Sequence, residues 1–231
     1  MTPRVVAAGD STLVVEFEER IALDVNARVL ALARHVAQLR LAGVRDVVPT
    51  YRSVAVAFDP LATDVSALED ALQLAARKSS TLAASATATI SIPVCYDAEF
   101  APDLDRVAAH SGLDRDTVIA LHTSGSYHVF MLGFMPGFAY MGSVDARIAA
   151  PRLASPRPRV AAGSVGIAGE QTGIYPSETP GGWNIIGRTP VRTWRADGHP
   201  PALIKAGDIV TFHAIDRATF DRWPSNGARQ S

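Results

Sequence analysis

Arg157-Pro158-Arg159 sets two cations side by side, and the run that follows is rich in small and hydrogen-bonding residues: Gly163, Ser164, Gly166, Gly169, Glu170, Gln171 and Thr172. Guanidinium forks match the paired oxygens of carboxylates and phosphates. Exposed glycine amides can converge on the same kind of group as an anion-binding nest. The chemistry this pattern suits is the holding of an oxyanion. Its spacing is neither that of a P-loop, which needs Gly-Lys-Ser or Gly-Lys-Thr, nor Gly-x-Gly-x-x-Gly after a strand. The same glycines would also serve as barrel turns, so the run alone does not specify a nucleotide.

Two flanking runs carry aromatic rings. Leu132 to Gly142 contains Gly133, Phe134, Pro136, Gly137, Phe138 and Tyr140, with Pro136-Gly137 as a strong turn signal. The rings around that turn make either a packed corner or a binding wall, with glycine amides facing a ligand and aromatics excluding water. Downstream, Pro180-Gly181-Gly182 sets Trp183 at the edge of a second turn, and Arg188 follows Gly187. Trp183 there is a core plug or a ligand-facing ring.

Among the histidines, His122 is singled out. It ends a predicted helix shortly before the first aromatic run. The negative end of the helix dipole favours a protonated ring at that position, suited to proton transfer or to capping the helix. No His-Glu-x-x-His element and no Cys/His cluster occurs, so no metal site is expected. No Gly-x-Ser-x-Gly elbow supports a serine hydrolase. The single cysteine, Cys95, is expected to pack as a small hydrophobe.

The elements that would position these residues follow from periodicity. Thr12–Phe17 reads as a strand, and 24–40 as a helix with Val25, Val29, Leu32, Val36 and Leu39 on one face, capped by Asp24 and ended by Gly43. Val44–Thr50 and Ser53–Phe58 read as strands, and Asp64 opens a second helix carrying Val65, Leu68, Leu72 and Ala75. This order suits helices on one face of an antiparallel sheet. Lys78–Thr87, rich in Ser, Thr and Ala, is the expected crossover, which divides the chain into residues 1–85 and 86–231. Beyond it come a strand at Thr89–Val94, short helices at Asp103–His110 and Asp114–His122, and strands at Tyr127–Phe134 and Gly207–Phe212. Between Gly133 and Pro190, Gly and Pro punctuate short apolar runs, the texture of a β-barrel or sandwich. Ser225–Ser231 reads as a frayed tail.

With 22 basic and 23 acidic residues the formal net charge is -1, which gives no footprint for nucleic acid or an anionic membrane surface. The helix pair near 103–122 could pass for a DNA reader, but Asp103, Asp105, Asp114 and Asp116 would repel phosphate. No run is apolar enough to span a bilayer, no signal peptide is evident, and one cysteine forms no internal disulfide; a cytoplasmic protein is expected.

These motifs, taken together, resemble the family whose members are variously named allophanate hydrolase subunit 1, the B subunit of 5-oxoprolinase and Kip-type kinase inhibitor. The matching pieces are Gly133-Phe134-x-Pro136-Gly137-Phe138-x-Tyr140, Pro158-Arg159-Val160, Gly163 to Gly169, Gln171 to Pro176, Pro180-Gly181-Gly182-Trp183 and Ile186 to Pro190. Shorter likenesses lie at Gly9-Asp10, Asp46 to Pro49, Tyr51-Arg52-Ser53 and Ile92 to Tyr96, so the resemblance covers nearly the whole chain. It implies an α+β protein, a small N-terminal α/β sandwich followed by a cyclophilin-like β-barrel. It also implies one subunit of an ATP-dependent 5-oxoprolinase, which opens 5-oxo-L-proline to L-glutamate. The implied partners are a subunit-2/subunit-C type protein and a third protein of the lactam-utilisation type, the A subunit. ATP, with Mg, would be a co-substrate. Under that chemistry the residue types assign catalytic parts to His122, Arg159 and Gln171. Substrate or nucleotide contacts fall to Phe134, Pro136, Gly137, Phe138, Tyr140, Arg157, Gly163, Ser164, Gly166, Gly169, Thr172, Tyr175, Trp183 and Arg188. Two other activities occur under the same resemblance. One is half of a biotin-dependent carboxyltransferase, whose biotin carrier would be another protein because no Met-Lys attachment pair is present. The other is inhibition of a sensor histidine kinase.

Overall fold

In the computed structural model, described for residues 3–79 and 87–224, the chain divides into two compact units, 1–86 and 87–231. Most of the expected crossover and all of the expected tail, Ser225–Ser231, lie outside the described residues.

In the first unit the strands are β1 (Arg4–Ala7), β2 (Thr12–Glu16), β3 (Val44–Pro49) and β4 (Ser53–Phe58), and the helices are α1 (Leu23–Leu39) and α2 (Val65–Arg77). The strands form one antiparallel sheet in the order β1-β2-β4-β3. Alternation along β2 and β4 points Leu13, Val15, Val54, Val56 and Phe58 to one face, where the apolar stripes of α1 and α2 cover them. β1 pairs with β2 from Arg4↔Glu16 to Ala7↔Leu13. Periodicity does not announce this strand, because its four residues are too few to show a period.

Two helix ends differ from expectation. Ala22, not Asp24, is the N-cap of α1, and Asp24 instead pairs with Arg20 one turn away. α1 ends on Arg40 in the left-handed region. Gly43 serves the turn into β3, where a Cβ would fall 1.8 Å from Thr63 Oγ1. Leu39 and Val65, expected on the buried faces, are exposed at the ends of their helices. Asp64, by contrast, caps α2 as expected, its Oδ1 accepting from the Ala67 amide at 3.0 Å. Asp64→Ala should lower the stability of this unit by about 1 kcal/mol, read as a shift in a urea transition followed by circular dichroism; an unchanged midpoint would mean that the cap contributes nothing.

The second unit is built on a closed barrel. Its strands are β5 (Thr89–Cys95), β6 (Ser126–Leu132), β7 (Ala139–Gly142), β9 (Ser164–Ala168), β10 (Gln171–Ile174), β12 (Asn184–Arg188) and β13 (Ile209–Ile215). They close in the order β10-β7-β6-β13-β5-β12-β9, and β8 (Arg157–Val160) with β11 (Thr179–Gly181) forms a separate ribbon. β5 and β13 pair in parallel from Thr89↔Ile209 to Cys95↔Ile215, the rest of the barrel antiparallel. The late strand starts two residues after the expected Gly207. Asp208 holds the turn there, its buried carboxylate accepting from the Lys205 amide at 2.8 Å and the Ala88 amide at 3.3 Å.

Helices α3 (Leu104–Ser111) and α4 (Arg115–Ser124) pack against β12 and β13, and a short helix α5 (Arg217–Asp221) follows β13. Gly112 ends α3 in the left-handed region, and Asp114 caps α4 where that helix was expected to begin. The barrel core is apolar and continuous, from Ile92 and Val94 through Val129, Met141, Val165, Ile167 and Ile186 to Val210 and Phe212.

Candidate functional site

His122 lies in the last turn of α4 with its ring fully buried between helix and barrel. Nδ1 is 2.7 Å from the Tyr96 hydroxyl and Nε2 is 3.0 Å from Thr172 Oγ1. The proton positions follow from the end of this chain. Thr172 donates to the carbonyl of Gly166 at 3.1 Å, and a carbonyl can only accept. Thr172 Oγ1 therefore accepts from Nε2–H, and Nδ1 accepts from Tyr96. Tyr127 donates to the His122 carbonyl at 2.7 Å. The ring stacks on Phe212, centroids 4.6 Å apart.

The charge expected of His122 is not what this environment allows. Burial holds its pKa down at about 3, so the ring is neutral. The helix dipole is worth typically up to about 1 kcal/mol, whereas desolvating a charge costs several, and no carboxylate among the described residues faces the ring to offset it. The neighbouring phenol of Tyr96 is likewise pushed well above its ordinary value by burial. Cys95, also buried, has its thiol pKa raised by burial and packs in the core.

The aromatic residues of the three motifs come together outside the barrel. Phe138 is the hub, with ring centroids 4.9 Å from Tyr140, 5.2 Å from Tyr175, 5.4 Å from Trp183 and 5.6 Å from Phe134, all edge-to-face. Phe138, Tyr175 and Trp183 are buried in a small core with Val160, Ala168 and Ile185. Tyr140 is half-buried, and Phe134 is 62% exposed. The rings form a packed corner, with Tyr140 and Phe134 accessible at its outer rim.

Glycine lets the rings sit this close. A Cβ on Gly173 would lie 3.0 Å from Trp183 and 3.2 Å from Phe138, and one on Gly181 would lie 2.5 Å from the Tyr175 hydroxyl. The turn itself is closed by hydrogen bonds from Gly133 N to the Phe138 carbonyl at 3.1 Å and from Phe138 N to the Met135 carbonyl at 3.1 Å. Pro136 is exposed at its tip, Phe134 has φ +66°, and Gly137 has φ +81°. A Cβ on Gly137 would meet Trp194 Cβ at 2.4 Å. Gly137→Ala should cost about 2–4 kcal/mol, combining a left-handed alanine with overpacking. Gly169→Ala is the control, with φ +58° and no neighbour within 4 Å; equal losses in chemical denaturation would show that Trp194 is not what demands glycine.

The anion-nest expectation is not met at the glycines whose amides can be traced. Gly163 N donates to the Tyr175 carbonyl and Gly169 N to the Ala150 carbonyl, each at 2.7 Å. Gly166 sits in the ladder opposite Gly173 and Ile185. Ser164 is buried at the start of β9, its carbonyl accepting from Tyr175 N. Gln171 lies at the β9–β10 hairpin opposite Ala168 and Gly142.

Of the three arginines expected to hold an anion, each has a partner. Arg157 Nη2 donates to the buried Asp103 carboxylate at 2.6 Å, and the other Asp103 oxygen accepts from the Ile185 amide at 2.7 Å. Arg159 makes a two-pronged pair with Glu178, 3.0 Å in each arm, on the exposed β8–β11 ribbon. Arg188 donates to the Ala162 carbonyl and lies over the Phe100 ring at 5.6 Å, away from the aromatic corner.

The cation that sequence reasoning passed over is Arg152. Its charge acts on the phenols of both Tyr140 and Tyr175, lowering pKa values that burial raises more. Its side chain is exposed and has no ion-pair partner among the described residues. The available signal was Pro151-Arg152, an arginine–proline pairing just upstream of Arg157-Pro158-Arg159.

The family model "Carboxyltransferase domain, subdomain C and D" matches residues 3–204. The chain is 41% identical over 222 residues to the B subunit of 5-oxoprolinase from Bacillus subtilis, covering 92% of each chain. The crystal structure of the protein TTHA0988 superimposes with a TM-score of 0.79 at 35% identity, covering 89% of this chain and 40% of that longer one. Kluyveromyces lactis urea carboxylase shares the fold at 21% identity and a TM-score of 0.75, with 95% of this chain matching 22% of that enzyme.

Proposed function

Because the chain belongs to the carboxyltransferase domain, subdomain C and D, family, we propose that it is the B subunit of an ATP-dependent 5-oxoprolinase. The observation that carries this is its likeness to a 5-oxoprolinase B subunit along nearly the full length of both chains. The chain would act with a subunit-C type protein and an A subunit of the lactam-utilisation type.

A lactam carbonyl is a poor electrophile because the nitrogen lone pair is delocalised into it. Transfer of the γ-phosphoryl group of ATP to the carbonyl oxygen forms an O–P bond and releases ADP. Water then adds to the carbon, the C–N bond breaks, and the nitrogen leaves as an amine after taking a proton. A second water hydrolyses the acyl phosphate, giving L-glutamate and inorganic phosphate. Catalysis of such transfers rests on positioning and charge stabilisation. In this chain the Gly163 and Gly169 amides and the arginines at 157, 159 and 188 already have partners, so the groups that hold the triphosphate are expected from the partner proteins. Arg159 and Gln171 are proposed contacts of the assembled site. His122, with no exposed atom, is proposed as a positioning residue that fixes Tyr96 and Thr172.

The test is glutamate release from 5-oxo-L-proline and ATP by this chain with its A and C partners, each component omitted in turn. Loss of activity without this chain is the expected result. Full activity without it would overturn the proposal. The family's description favours carboxyl transfer as the second reading, and consumption of a biotin-carried carboxyl group in place of glutamate release would establish it.

A further inference from the structure

Phe134 stands on the turn between β6 and β7 with 62% of its surface exposed, and its backbone is held there against its preference. Met135 N donates to the Gly133 carbonyl at 2.7 Å, closing a three-residue turn around Phe134, whose φ is +66°. This is the rare, strained form of the γ-turn, and a bulky side chain at positive φ is an outlier. The ring leans edge-on against Phe138, centroids 5.6 Å apart and planes at 81°, and Phe138 is 1% exposed. Backbone and ring are thus both fixed, yet the ring is left in solvent, where burial does not offset the strain. Strain of this kind persists where it serves a function. Pro136 beside it is exposed, and Met135, Tyr140 and Trp194 are half-buried on the same corner, Trp194 lying against Gly137. From Val129 to Val144 no residue carries a charge.

We propose that Phe134 is the anchor by which this chain docks the subunit-C type protein, seated in an apolar pocket of that partner. This rests on the reading above of the chain as a subunit that works with partner proteins. The family model covers subdomains C and D of a carboxyltransferase domain, a lettering that leaves further subdomains to other sequence. TTHA0988 and Kluyveromyces lactis urea carboxylase carry the matching region as 40% and 22% of longer single chains. There the companion sequence is covalently attached, whereas a separate B subunit holds its companion by surface contact alone. A projecting ring with no charge beside it fits such a contact, because aromatic anchors in desolvated pockets dominate protein interfaces. A small molecule needs a concavity that encloses most of its surface, and Phe134 offers a knob. The uncharged run 129–144 also lacks the basic residues that draw a protein surface to anionic lipid. With turn and ring set before contact, little conformational freedom is lost on docking.

The experiment is titration calorimetry of the full chain with the purified subunit-C type protein. Phe134→Ala should raise Kd about thirty-fold, as truncation of a central aromatic anchor does, and Phe134→Tyr should stay within about three-fold of wild type. Phe134→Gly separates docking from folding. It removes the ring but suits the positive φ, so its urea midpoint should not fall below that of Phe134→Ala, while its Kd rises as much. A Kd less than about ten-fold above wild type in either variant overturns the inference, as does a wild-type chain that does not bind the partner. Self-association, or binding to phosphatidylcholine vesicles, that is lost in Phe134→Gly while Kd for the partner is unchanged gives the ring to another occupant and overturns it too. The 5-oxoprolinase reading is judged separately: an assembly that forms through Phe134 but releases no glutamate ends that reading and leaves the docking in place.

Discussion

Replacing Phe138 with alanine is expected to destabilise the barrel unit by about 3–5 kcal/mol, the range for removing a fully enclosed aromatic ring. Phe138 is 1% exposed and touches four other rings. The rings around it rest on the backbone at Gly173 and Gly181, which cannot move inward without distorting the strands. A cavity would therefore remain, and its lining would lose dispersion contacts and edge-to-face pairing. All three tryptophans, Trp183, Trp194 and Trp223, lie in this unit, so fluorescence during urea unfolding reports on it. The control is Phe134→Ala, which removes a ring of the same cluster that is 62% exposed and should change stability by less than about 1 kcal/mol. A Phe138→Ala loss no larger than that of the control would mean that the ring cluster does not hold this corner together.

Acidification is expected to weaken the same unit through His122. Its folded pKa of about 3 lies below the ordinary 6.5, so between those values the unfolded chain binds the extra proton. Stability then rises with pH: the contribution is complete above about pH 6.5 and is lost as pH falls toward 3. At pH 5 the loss relative to pH 8 comes to about 2 kcal/mol. His128, half-buried with its pKa also lowered by burial, adds in the same direction, so the His122 share is isolated by difference. His122→Gln should be less stable than wild type at pH 8, because the hydrogen bonds to Tyr96 and Thr172 are disturbed. Its further drop between pH 8 and pH 5 should be smaller than that of wild type by about 2 kcal/mol. Urea midpoints at the two pH values measure both quantities, and identical pH slopes would show that His122 titrates normally.

The local signals served well where the physics is local. Asp64 and Asp114 cap the helices they precede, Gly112 ends α3, and the alternation of Ser53–Phe58 matches the burial of β4. Each depends on atoms a few residues apart, which is why spacing reveals it. Asp24 misled for the same kind of reason: an acidic residue near a helix start has several local partners, and here Arg20 takes it. The motifs rich in Gly, Phe, Tyr and Trp marked where rings would gather, because glycine beside an aromatic residue leaves room for close approach.

What the chain's spacing could not reveal depends on partners far away in sequence. His122 is neutral because folding surrounds it with Tyr96, Tyr127, Thr172 and Phe212, and desolvation in that setting outweighs the helix dipole visible in the sequence. Arg157 and Arg159 look like anion ligands until folding delivers Asp103 and Glu178, 54 and 19 residues away. Residue types and local spacing determined the elements, the family likeness and the list of groups able to do chemistry. Only the tertiary structure decided which of those groups are already satisfied, because hydrogen-bond partners and desolvation are properties of neighbours in space.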